Sequence, residues 1–561
     1  MWDGPAVALP GPMPTLKHLQ SLSLLGAMSL FGLAPTGCGG DAAAPGEDER
    51  ADEEVVPEGK QDDFYSSSAR EYWASGTSTV TIEPALAEKP EAERRKRAQE
   101  LVQLKDVAIS WFLNQYLIDK EDHDANNGYG GFNALTRFAS EENGSLEAVD
   151  NTTFRFTYRV QIAGAKTLLS KLPGTSADGG KRVPLKIGKV ANADLARLEF
   201  NHEWYRDSPW TDFDPSKLAA EQLETIDLLV KPQAATTDAY LAYGRLFADG
   251  ELSIAVHFGW DYHSRYDIIG SRNLYNWAGR NGFDSPVESY EKLLRTSGPL
   301  TKTIRSNGKD VVVKLWIFHP GDASKSIPGP DPDTAEGGRL LEADMRESFA
   351  RREVVIFEGH SGPLYGFALA NWRKTEEGDL DDSKIPGMEL LRGHQIVLAN
   401  GCDTYALGQA FWQNPAKADR KNLNVITSTS FSNAGTEASA ERLIVALSNQ
   451  TRGKVVPVKV SDLTAGFDED QGWGFHTMYG VHGVDANPKG DPMADASKLG
   501  RACTSDAACG ADGNRCTRVS ATRRICTYAC IDDAGCTGGA SCRSIAQAGR
   551  ITTRQCVPPA R

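Results

Sequence analysis

The feature that most constrains the fold of this chain is an alternation of short apolar runs with helical stretches between residues 251 and 455. Each run stops abruptly in small or polar residues, as buried parallel strands do where they meet the loop at their carboxyl end. Repeated strand–helix units imply an α/β fold, with a parallel sheet covered by helices on both faces. The predicted strands are residues 252–258, 310–318, 354–357, 396–399 and 424–427, and the predicted helices are residues 271–280, 338–351, 404–412 and 437–448.

The preceding part of the chain has a different pattern, typical of an α+β unit between residues 64 and 250. Residues 77–82 and 152–162 alternate apolar and polar side chains as strands do, and residues 90–116 carry apolar side chains at helical spacing. The stretches 240–247 and 251–258 flank the turn-forming sequence Ala-Asp-Gly, which predicts a hairpin at the boundary between the two units.

Length and charge limit the class of protein. A chain of 561 residues is too long for one hydrophobic core and normally divides into about two to four units. The net charge is −14 and no long basic run occurs, so nucleic acid is not expected as a partner.

The cysteines are concentrated at one end: eight of ten follow Arg501. Residues 456–500, rich in Gly, Asp and Pro, are predicted to be an extension and linker to residues 501–561, where two sets of four cysteines have similar early spacing. This pattern predicts two small modules held by disulfides, and an oxidising compartment. Zinc is the competing interpretation, but no histidine follows His482 and no paired Cys-x-x-Cys spacing occurs. The pairing stays open within the two sets, which are Cys503, Cys509, Cys516 and Cys526, then Cys530, Cys536, Cys542 and Cys556.

The N-terminus has the composition of an export signal. Residues 19–33 are mainly apolar, follow the basic Lys17, and lead through small residues to Cys38. Residues 1–38 resemble a bacterial lipoprotein signal, which implies that Cys38 becomes the lipidated N-terminus; ordinary cleavage is the alternative. Residues 39–63 are acidic and poor in large apolar side chains, which predicts a disordered tether. The protein is therefore expected to be exported, and either lipid-anchored in the cell envelope or at the cell surface, or secreted.

Two of the predicted strands end in residues that can react together. Residues 353–362 read EVVIFEGHSG and residues 395–403 read QIVLANGCD, so His360 and Cys402 each follow a strand. Room for one helical crossover lies between them, which would make the strands neighbours. Reacting groups collect at the carboxyl ends of strands in open α/β sheets, so the pair is interpreted as a nucleophile with its base. An inert buried thiol and a structural histidine are the plain alternatives.

A strand that ends in a glycine-flanked histidine, followed tens of residues later by a strand that ends in cysteine, resembles the caspase–hemoglobinase fold of cysteine peptidases. Caspases, legumain, gingipain and clostripain relatives share this fold. The resemblance covers residues 252–448. It implies the strand order 2-1-3-4, Cys402 as nucleophile, His360 as acid and base, and an oxyanion hole formed by the amides of Cys402 and of Ser361 or Gly362. In that family a glycine directly follows the histidine, whereas here Ser361 stands between His360 and Gly362.

The implied reaction is acyl transfer from a protein or peptide substrate. Gly359, like Gly362, would let a substrate backbone approach the histidine closely. The charged loop after the first strand, residues 259–272, makes Asp261 and Arg265 candidates for the substrate pocket, and Asp403 beside the nucleophile is a third. An arginine would suit an acidic substrate side chain and an aspartate a basic one, and the sequence does not choose between them.

Two other functions fit the sequence. Ser361 resembles the nucleophile of an α/β-hydrolase elbow, with a downstream histidine such as His476, although Pro363 stands where that pattern has glycine. The peptidase-like domain could also be an inactive scaffold in a surface binding or adhesion protein. The sequence predicts no cofactor and no metal ion, and it leaves the oligomeric state open.

Overall fold

The structure is a computed structural model that describes residues 63–114, 132–133, 146–194, 215–362, 366–429, 432–433, 435–471, 477–547 and 551–559. The predicted signal with Cys38, nearly all of the acidic tether, and His476 lie outside these residues. Within the described parts of the chain, no helix has both the length and the apolar composition needed to cross a membrane.

An antiparallel sheet and a long helix form the first part of the described chain. Its elements are β1 (Tyr65–Ser66), β2 (Ala69–Thr81), α1 (Glu91–Asn114), β3 (Phe132–Asn133), β4 (Leu146–Ala148), β5 (Thr153–Ala165), α2 (Leu168–Lys171), β6 (Thr175–Ala177), β7 (Gly180–Gly188) and β8 (Leu223–Pro232). The sheet has the strand order β3-β5-β2-β8-β7-β6, with β4 beside β5, and α1 packs its apolar side chains against it. The predicted helix at residues 90–116 and the predicted strand at 152–162 correspond to α1 and β5.

The central part of the chain supplies most of a second, larger sheet and the helices that cover it. Its elements are α3 (Tyr243–Leu246), β9 (Glu251–Phe258), α4 (Tyr266–Arg280), β10 (Leu300–Ser306), β11 (Lys309–Phe318), α5 (Ala335–Arg351), β12 (Val354–Glu358), β13 (Ser361–Gly362), β14 (Gly366–Ala368), β15 (Asp379–Leu380), β16 (Gln395–Asn400), α6 (Tyr405–Trp412), β17 (Leu423–Ser428), α7 (Ala438–Ser448), β18 (Gln450–Thr451), β19 (Lys454–Val455), α8 (Val460–Asp470) and β20 (Tyr479–His482).

This central sheet is mixed. Its strand order is β1-β20-β17-β16-β12-β9-β11-β10. The five strands predicted from the sequence form its parallel part, from β17 to β11. Antiparallel strands complete both edges, with β10 beside β11 and β20 beside β17. The α/β class predicted from the alternating pattern is confirmed at this level.

Both faces of the parallel strands are buried, which explains why their sequences are almost wholly apolar. Alternate residues of β12 belong to opposite cores: Val354 and Ile356 pack under α4, α7 and α8, whereas Val355 and Phe357 pack under α5 and α6. Thr334 caps the start of α5, because its side-chain oxygen accepts a hydrogen bond from the amide of Gly337.

One stretch differs from the sequence-based prediction. Residues 240–247 do not form one arm of a hairpin with β9. They contain the short helix α3, whose Tyr243 and Leu246 are buried in the core of the central sheet at helical spacing, while β9 pairs with β11 and β12 instead. The segment 456–500, predicted as an extension that becomes a linker near Gly483, supplies α8 and β20 before that point, and β20 pairs with β17.

The C-terminal residues form two small hairpin modules, each with two disulfides. The disulfide prediction is confirmed, and in each module the first cysteine pairs with the third and the second with the fourth. The hairpins are β21 (Asn514–Arg518) with β22 (Arg524–Tyr528), and β23 (Ser541–Gln547) with β24 (Ile551–Val557). The disulfides are Cys503–Cys516, Cys509–Cys526, Cys530–Cys542 and Cys536–Cys556.

Candidate functional site

Strands β12 and β16 are parallel neighbours in the central sheet, and their register pairs Glu358 with Asn400. His360 follows Glu358 by two residues, and Cys402 follows Asn400 by two residues. The two residues therefore occupy equivalent positions beyond adjacent strands, at the carboxyl ends of the parallel strands. Open α/β sheets collect ligands and reacting groups at these strand ends.

A tight strand-to-helix turn carries Cys402. Gly401 is needed in this turn, because a Cβ atom there would lie 2.5 Å from the Cβ of Ser361 in the neighbouring turn. Asp403 has a φ of +56°, which is uncommon for a residue other than glycine and costs of the order of 1 kcal/mol. The turns after β12 and β16 are thus in direct contact.

The thiol of Cys402 is partly exposed and forms no disulfide. Its Sγ atom lies 3.9 Å from the carbonyl oxygen of Ser432, which follows β17. Thr404 holds the turn: its hydroxyl donates to the carbonyl of Ala399 and accepts from the amide of Ser428, both at 2.9 Å. Helix α6 begins at the next residue, so its N-terminal end, which favours negative charge, adjoins the turn.

The imidazole of His360 is oriented by a carboxylate and by aromatic rings. Its Nε2 atom lies 2.9 Å from Oδ1 of Asp261, in the loop after β9. Tyr262 stacks on the ring with centroids 4.6 Å apart, and Trp372 makes an edge contact at 5.6 Å. Because Nε2 is engaged with Asp261, Nδ1 is the atom with which His360 can exchange a proton with a reacting group.

Asp261 organises the loop that holds it. Its side chain is 4% exposed, and Oδ2 accepts hydrogen bonds from the amides of His263, Ser264 and Tyr266. Burial acts to raise the pKa of Asp261, but the hydrogen bonds from His360 and from the loop amides outweigh it and hold the pKa well below its usual range. The carboxylate therefore stays charged and can stabilise a protonated imidazole.

The side chains of Asp261, His263 and His360 could also hold a metal ion, because their ligand atoms lie within 4.8 Å of one another. Two imidazoles and a carboxylate suit zinc or another transition metal. Both imidazoles contact the same carboxylate oxygen, at 3.2 Å from His263 and 2.9 Å from His360. That shared acceptor accounts for their convergence without an ion.

A cleft opens beside His360, with about 460 Å³ of empty space including its open mouth. Phe258, Glu358 and Asn400 line it as a row across three adjacent strands. Ser432, whose carbonyl oxygen lies 3.9 Å from Sγ of Cys402, lines it as well, although Cys402 itself is not among the lining residues. Its remaining walls come from the start of α4 and from the residues before α7.

Four carboxyl groups line this cleft, those of Asp261, Asp267, Glu358 and Glu437, and we call it the acidic cleft. No lysine or arginine is among the described residues that line it. Asp267 is paired with Arg265, with Nε–Oδ1 and Nη2–Oδ2 distances of 3.0 and 2.8 Å. Asp261 is bonded to the imidazole of His360 and so has a partner too.

Glu358 is a buried acid at the end of an otherwise apolar strand. Its Oε2 accepts a hydrogen bond from Asn400, whereas Oε1 is buried without a hydrogen-bond partner among the described residues. Burial raises the pKa of Glu358 to about 8; the neighbouring Glu437 adds to this shift, whereas hydrogen bonds from the side chain of Asn400 and the backbone of Ala440 oppose it. A strongly perturbed acid in a cleft is a recurrent mark of functional sites.

The three predicted pocket residues have different surroundings. Asp261 lines the acidic cleft and also binds His360, a contact that the sequence did not predict. Arg265 is held by Asp267 and is not among the lining residues. Asp403 is buried in the turn after Cys402 and does not line the cleft either.

The residues after His360 are held by a small antiparallel sheet of β13, β14 and β15. Ser361 is 3% exposed, and its hydroxyl donates to the carbonyl of Gly366 at 2.6 Å, so it is engaged with the backbone and not directed at a substrate. Gly362 pairs with Gly366 in this sheet. Gly359 packs against the loop after β9: a Cβ atom on Gly359 would lie 3.1 Å from the backbone of Gly259 and 2.9 Å from the ring of Phe357.

Sequence reasoning missed Glu358 and Trp372, and it missed the bond between Asp261 and His360. Glu358 had a signal, because a lone acid in a buried strand needs a reason. The bond between Asp261 and His360 had a weaker signal. The strand order implied by the resemblance makes the first strand, which leads to Asp261, a neighbour of the third strand, which leads to His360. Nothing in the local sequence marks Trp372 as a contact of His360.

Comparison with known proteins does not assign this chain to a family. No family model, no curated protein and no solved structure matches the chain. The fold defines a mixed α/β protein with disulfide modules at its C-terminal end.

Proposed function

We propose that this protein is an exported cysteine endopeptidase, with Cys402 as the nucleophile and His360 as the acid–base group. The observation that carries the proposal is the parallel pairing of β12 with β16, which brings the residues after both strands together at the carboxyl ends of the parallel strands. The bond from Asp261 to His360 adds the third component of a nucleophilic triad, in which a carboxylate orients the base.

The strand order supports extending the resemblance to the caspase–hemoglobinase fold. Numbered along the chain within the parallel part, β9, β11, β12 and β16 are the first to fourth strands, and they lie in the order 2-1-3-4. The third strand leads to the histidine and the fourth to the cysteine, as that fold requires. Helices on both faces agree with the same architecture.

The reaction follows from these groups. His360 takes the proton of the Cys402 thiol through Nδ1, and the thiolate attacks the substrate carbonyl. The amides of Cys402 and of Ser361 or Gly362 stabilise the oxyanion. The C–N bond then breaks as His360 gives its proton to the leaving amine, and a thioester remains. Water, deprotonated by His360, attacks the thioester and releases the acid and the thiol.

Asp261 keeps the imidazole in the orientation and tautomer that this sequence needs, because it accepts from Nε2 and leaves Nδ1 for the thiol. Its negative charge stabilises the imidazolium that forms between the two proton transfers. Asp261 is thus a positioning residue that acts through His360.

An aromatic surface beside the histidine supports binding of an extended chain. Tyr262 and Trp372 are 36% and 38% exposed, with ring centroids 5.3 Å apart, and the guanidinium of Arg373 lies 4.3 Å from the Tyr262 centroid. Exposed aromatic rings of this kind bind apolar side chains at little cost in conformational entropy. Here they would contact substrate residues next to the cleaved bond.

Labelling with a fluorescent iodoacetamide tests the proposal in the full chain. We expect fast modification of Cys402 that depends on pH, loss of the label in Cys402→Ala, and slower labelling in His360→Ala. Cleavage of a casein or peptide library should depend on the same two residues.

A rate no faster than that of an ordinary exposed thiol, with no cleavage, would instead favour the inactive binding or adhesion protein. Labelling of Ser361 by a fluorophosphonate would favour the serine hydrolase.

Export and anchoring complete the proposal. Four disulfides form and persist in an oxidising compartment, which is consistent with an exported protein. We propose that Cys38 is lipidated after removal of residues 1–37 and holds the protein at the membrane. Incorporation of labelled palmitate by cells that express the protein, abolished in Cys38→Ser, is the expected result; equal labelling of both proteins would exclude this anchor.

A further inference from the structure

The acidic cleft has a chemical character of its own, beyond its position beside the reacting groups. Glu358 and Asn400 point to the same side of the sheet as Ile356 and Leu398, because alternate residues of a strand share a face. That side is covered by α4, α7 and α8, and the cleft is lined by α4 and by the residues just before α7. The carboxyl group of Glu358 therefore lies at the base of a cleft between two helices, where water is largely excluded.

Two of the four acids in this cleft have no cationic partner among the described residues. Asp267 has Arg265, and Asp261 has His360. Neither Glu358 nor Glu437 takes part in an ion pair among the described residues. The side chain of Asn273 bonds to Glu437, and Oε1 of Glu358 makes no well-formed hydrogen bond there, although the backbone of Ala440 approaches the carboxyl group. Two acids facing one cleft without a cation are costly, since burial and mutual repulsion both oppose their charge. A cationic ligand that supplies hydrogen-bond donors would remove that cost.

The cleft also has an apolar side next to its acids. Phe258 offers an apolar surface on one side. Gly270 packs beside Phe258, and its lack of a side chain keeps this part of the cleft free: a Cβ atom there would lie 3.0 Å from the ring of Phe258 and 3.7 Å from Oε2 of Glu437. The aliphatic stems of lysine and arginine pack on such surfaces while their head groups seek carboxylates.

We propose that the acidic cleft is the pocket for the P1 side chain, the residue on the amino side of the cleaved bond, and that it accepts arginine or lysine. The head group of that residue lies between Glu358 and Glu437, and its stem lies against Phe258. This inference rests on the proposed function, because P1 is defined by the bond that Cys402 cleaves. It also resolves the choice that the sequence left open, in favour of a basic P1 residue.

A set of fluorogenic peptides that differ only at P1 tests the inference in the full chain. We expect kcat/KM for Arg or Lys to exceed that for Ala, Leu, Asn or Asp by at least about 100-fold, since a site with unpaired buried polar groups rejects ligands that cannot pair them. Glu358→Gln should lower the ratio of Arg to Ala by about 10-fold or more. Glu437→Gln, at a half-buried position, should lower it less.

Glu353→Gln is the matched control, because Glu353 stands at the opposite end of the same strand and also has a raised pKa. It should leave the ratio of Arg to Ala unchanged. Agmatine, a small guanidinium compound, provides a readout besides turnover: it should protect Cys402 from iodoacetamide in the parent protein and protect it less in Glu358→Gln.

The two hypotheses fail in different ways. Cleavage that depends on Cys402 but prefers Ala, Leu, Asn or Asp at P1 would overturn the basic P1 pocket and leave the peptidase standing. An unchanged ratio in both Glu358→Gln and Glu437→Gln, with folding verified by circular dichroism, would do the same. An absence of any cleavage together with an unreactive Cys402 would remove the peptidase itself, and the pocket with it.

Discussion

Two regions of this molecule use cysteine in opposite ways. The C-terminal modules commit eight cysteines to four disulfides around a very small apolar core. The central sheet is held by large apolar cores on both faces, and its Cys402 forms no disulfide. A region that buries enough apolar surface needs no cross-link and can keep a thiol for chemistry. A module of fewer than about 30 residues cannot do so, because conformational entropy outweighs its core.

The largest effect that this comparison predicts is the loss of activity in Cys402→Ser. We expect peptide hydrolysis to fall by at least about 10³-fold, because a serine hydroxyl beside His360 is a far weaker nucleophile than the thiol. The similar size of the two side chains should leave the melting temperature of the central sheet almost unchanged. Turnover assays and calorimetry on the same preparation check both statements. A large drop in melting temperature would mean that the thiol is structural, and the contrast between the two regions would disappear.

The next effect concerns the carboxylate behind the histidine. Asp261→Asn should lower kcat by about 10²-fold or more, because an amide can hold His360 in the wrong tautomer and cannot stabilise the imidazolium. Its pH profile should shift with it, which a purely structural role would not produce.

Asp344→Asn is the control for this prediction. Asp344 is also a buried acid with a cationic partner, Arg295, at 2.7 Å, but it lies away from the site. It should reduce stability and leave the pH profile of turnover unchanged. Equal effects of both substitutions on that profile would contradict the role of Asp261.

The sequence predicts strands that have an apolar pattern of their own better than strands whose position is set by pairing with a neighbour. The parallel strands were predicted within one or two residues, because β12 and β16 are apolar runs buried on both faces. The edge strand β20 was not, since its four residues gain their place from pairing with β17 and not from a pattern of their own.

The site divides in the same way. His360 and Cys402 were recognisable because each follows a strand, and the ends of parallel strands meet. The bond from Asp261 to His360 joins residues 99 positions apart and depends on which strands are neighbours. The acidic cleft needs three strands and two helices to form, so its charge balance is visible only after the chain has folded.

Opening a disulfide in the C-terminal modules should have a smaller and local effect. The Cys509–Cys526 bond closes a loop with a sequence separation of 17, for which chain entropy predicts about 3 kcal/mol of stabilisation. In the double variant Cys509→Ala with Cys526→Ala, we expect residues 501–528 to lose protection from hydrogen exchange and proteolysis. Peptide hydrolysis by Cys402 should persist. Loss of activity together with the module would show that the two regions fold as one unit, against the comparison drawn above.

The smallest predicted effect is a pH dependence of the stability of the central sheet. Burial raises the pKa of Glu353 to about 7, although the amide and hydroxyl of Ser253 donate to its carboxyl group and oppose the shift. Between pH 4.5 and 7 the folded protein therefore holds a proton that the unfolded chain releases, so the free energy of unfolding falls as pH rises through this window and the cost is fully present above it. Glu353→Gln removes that cost. Allowing for its partial exposure, we expect the variant to be about 1–2 kcal/mol more stable than the parent at pH 8 and nearly equal at pH 4, as measured by urea unfolding. A gain of the same size at both pH values would show that packing, and not protonation, sets the stability of the sheet at this end.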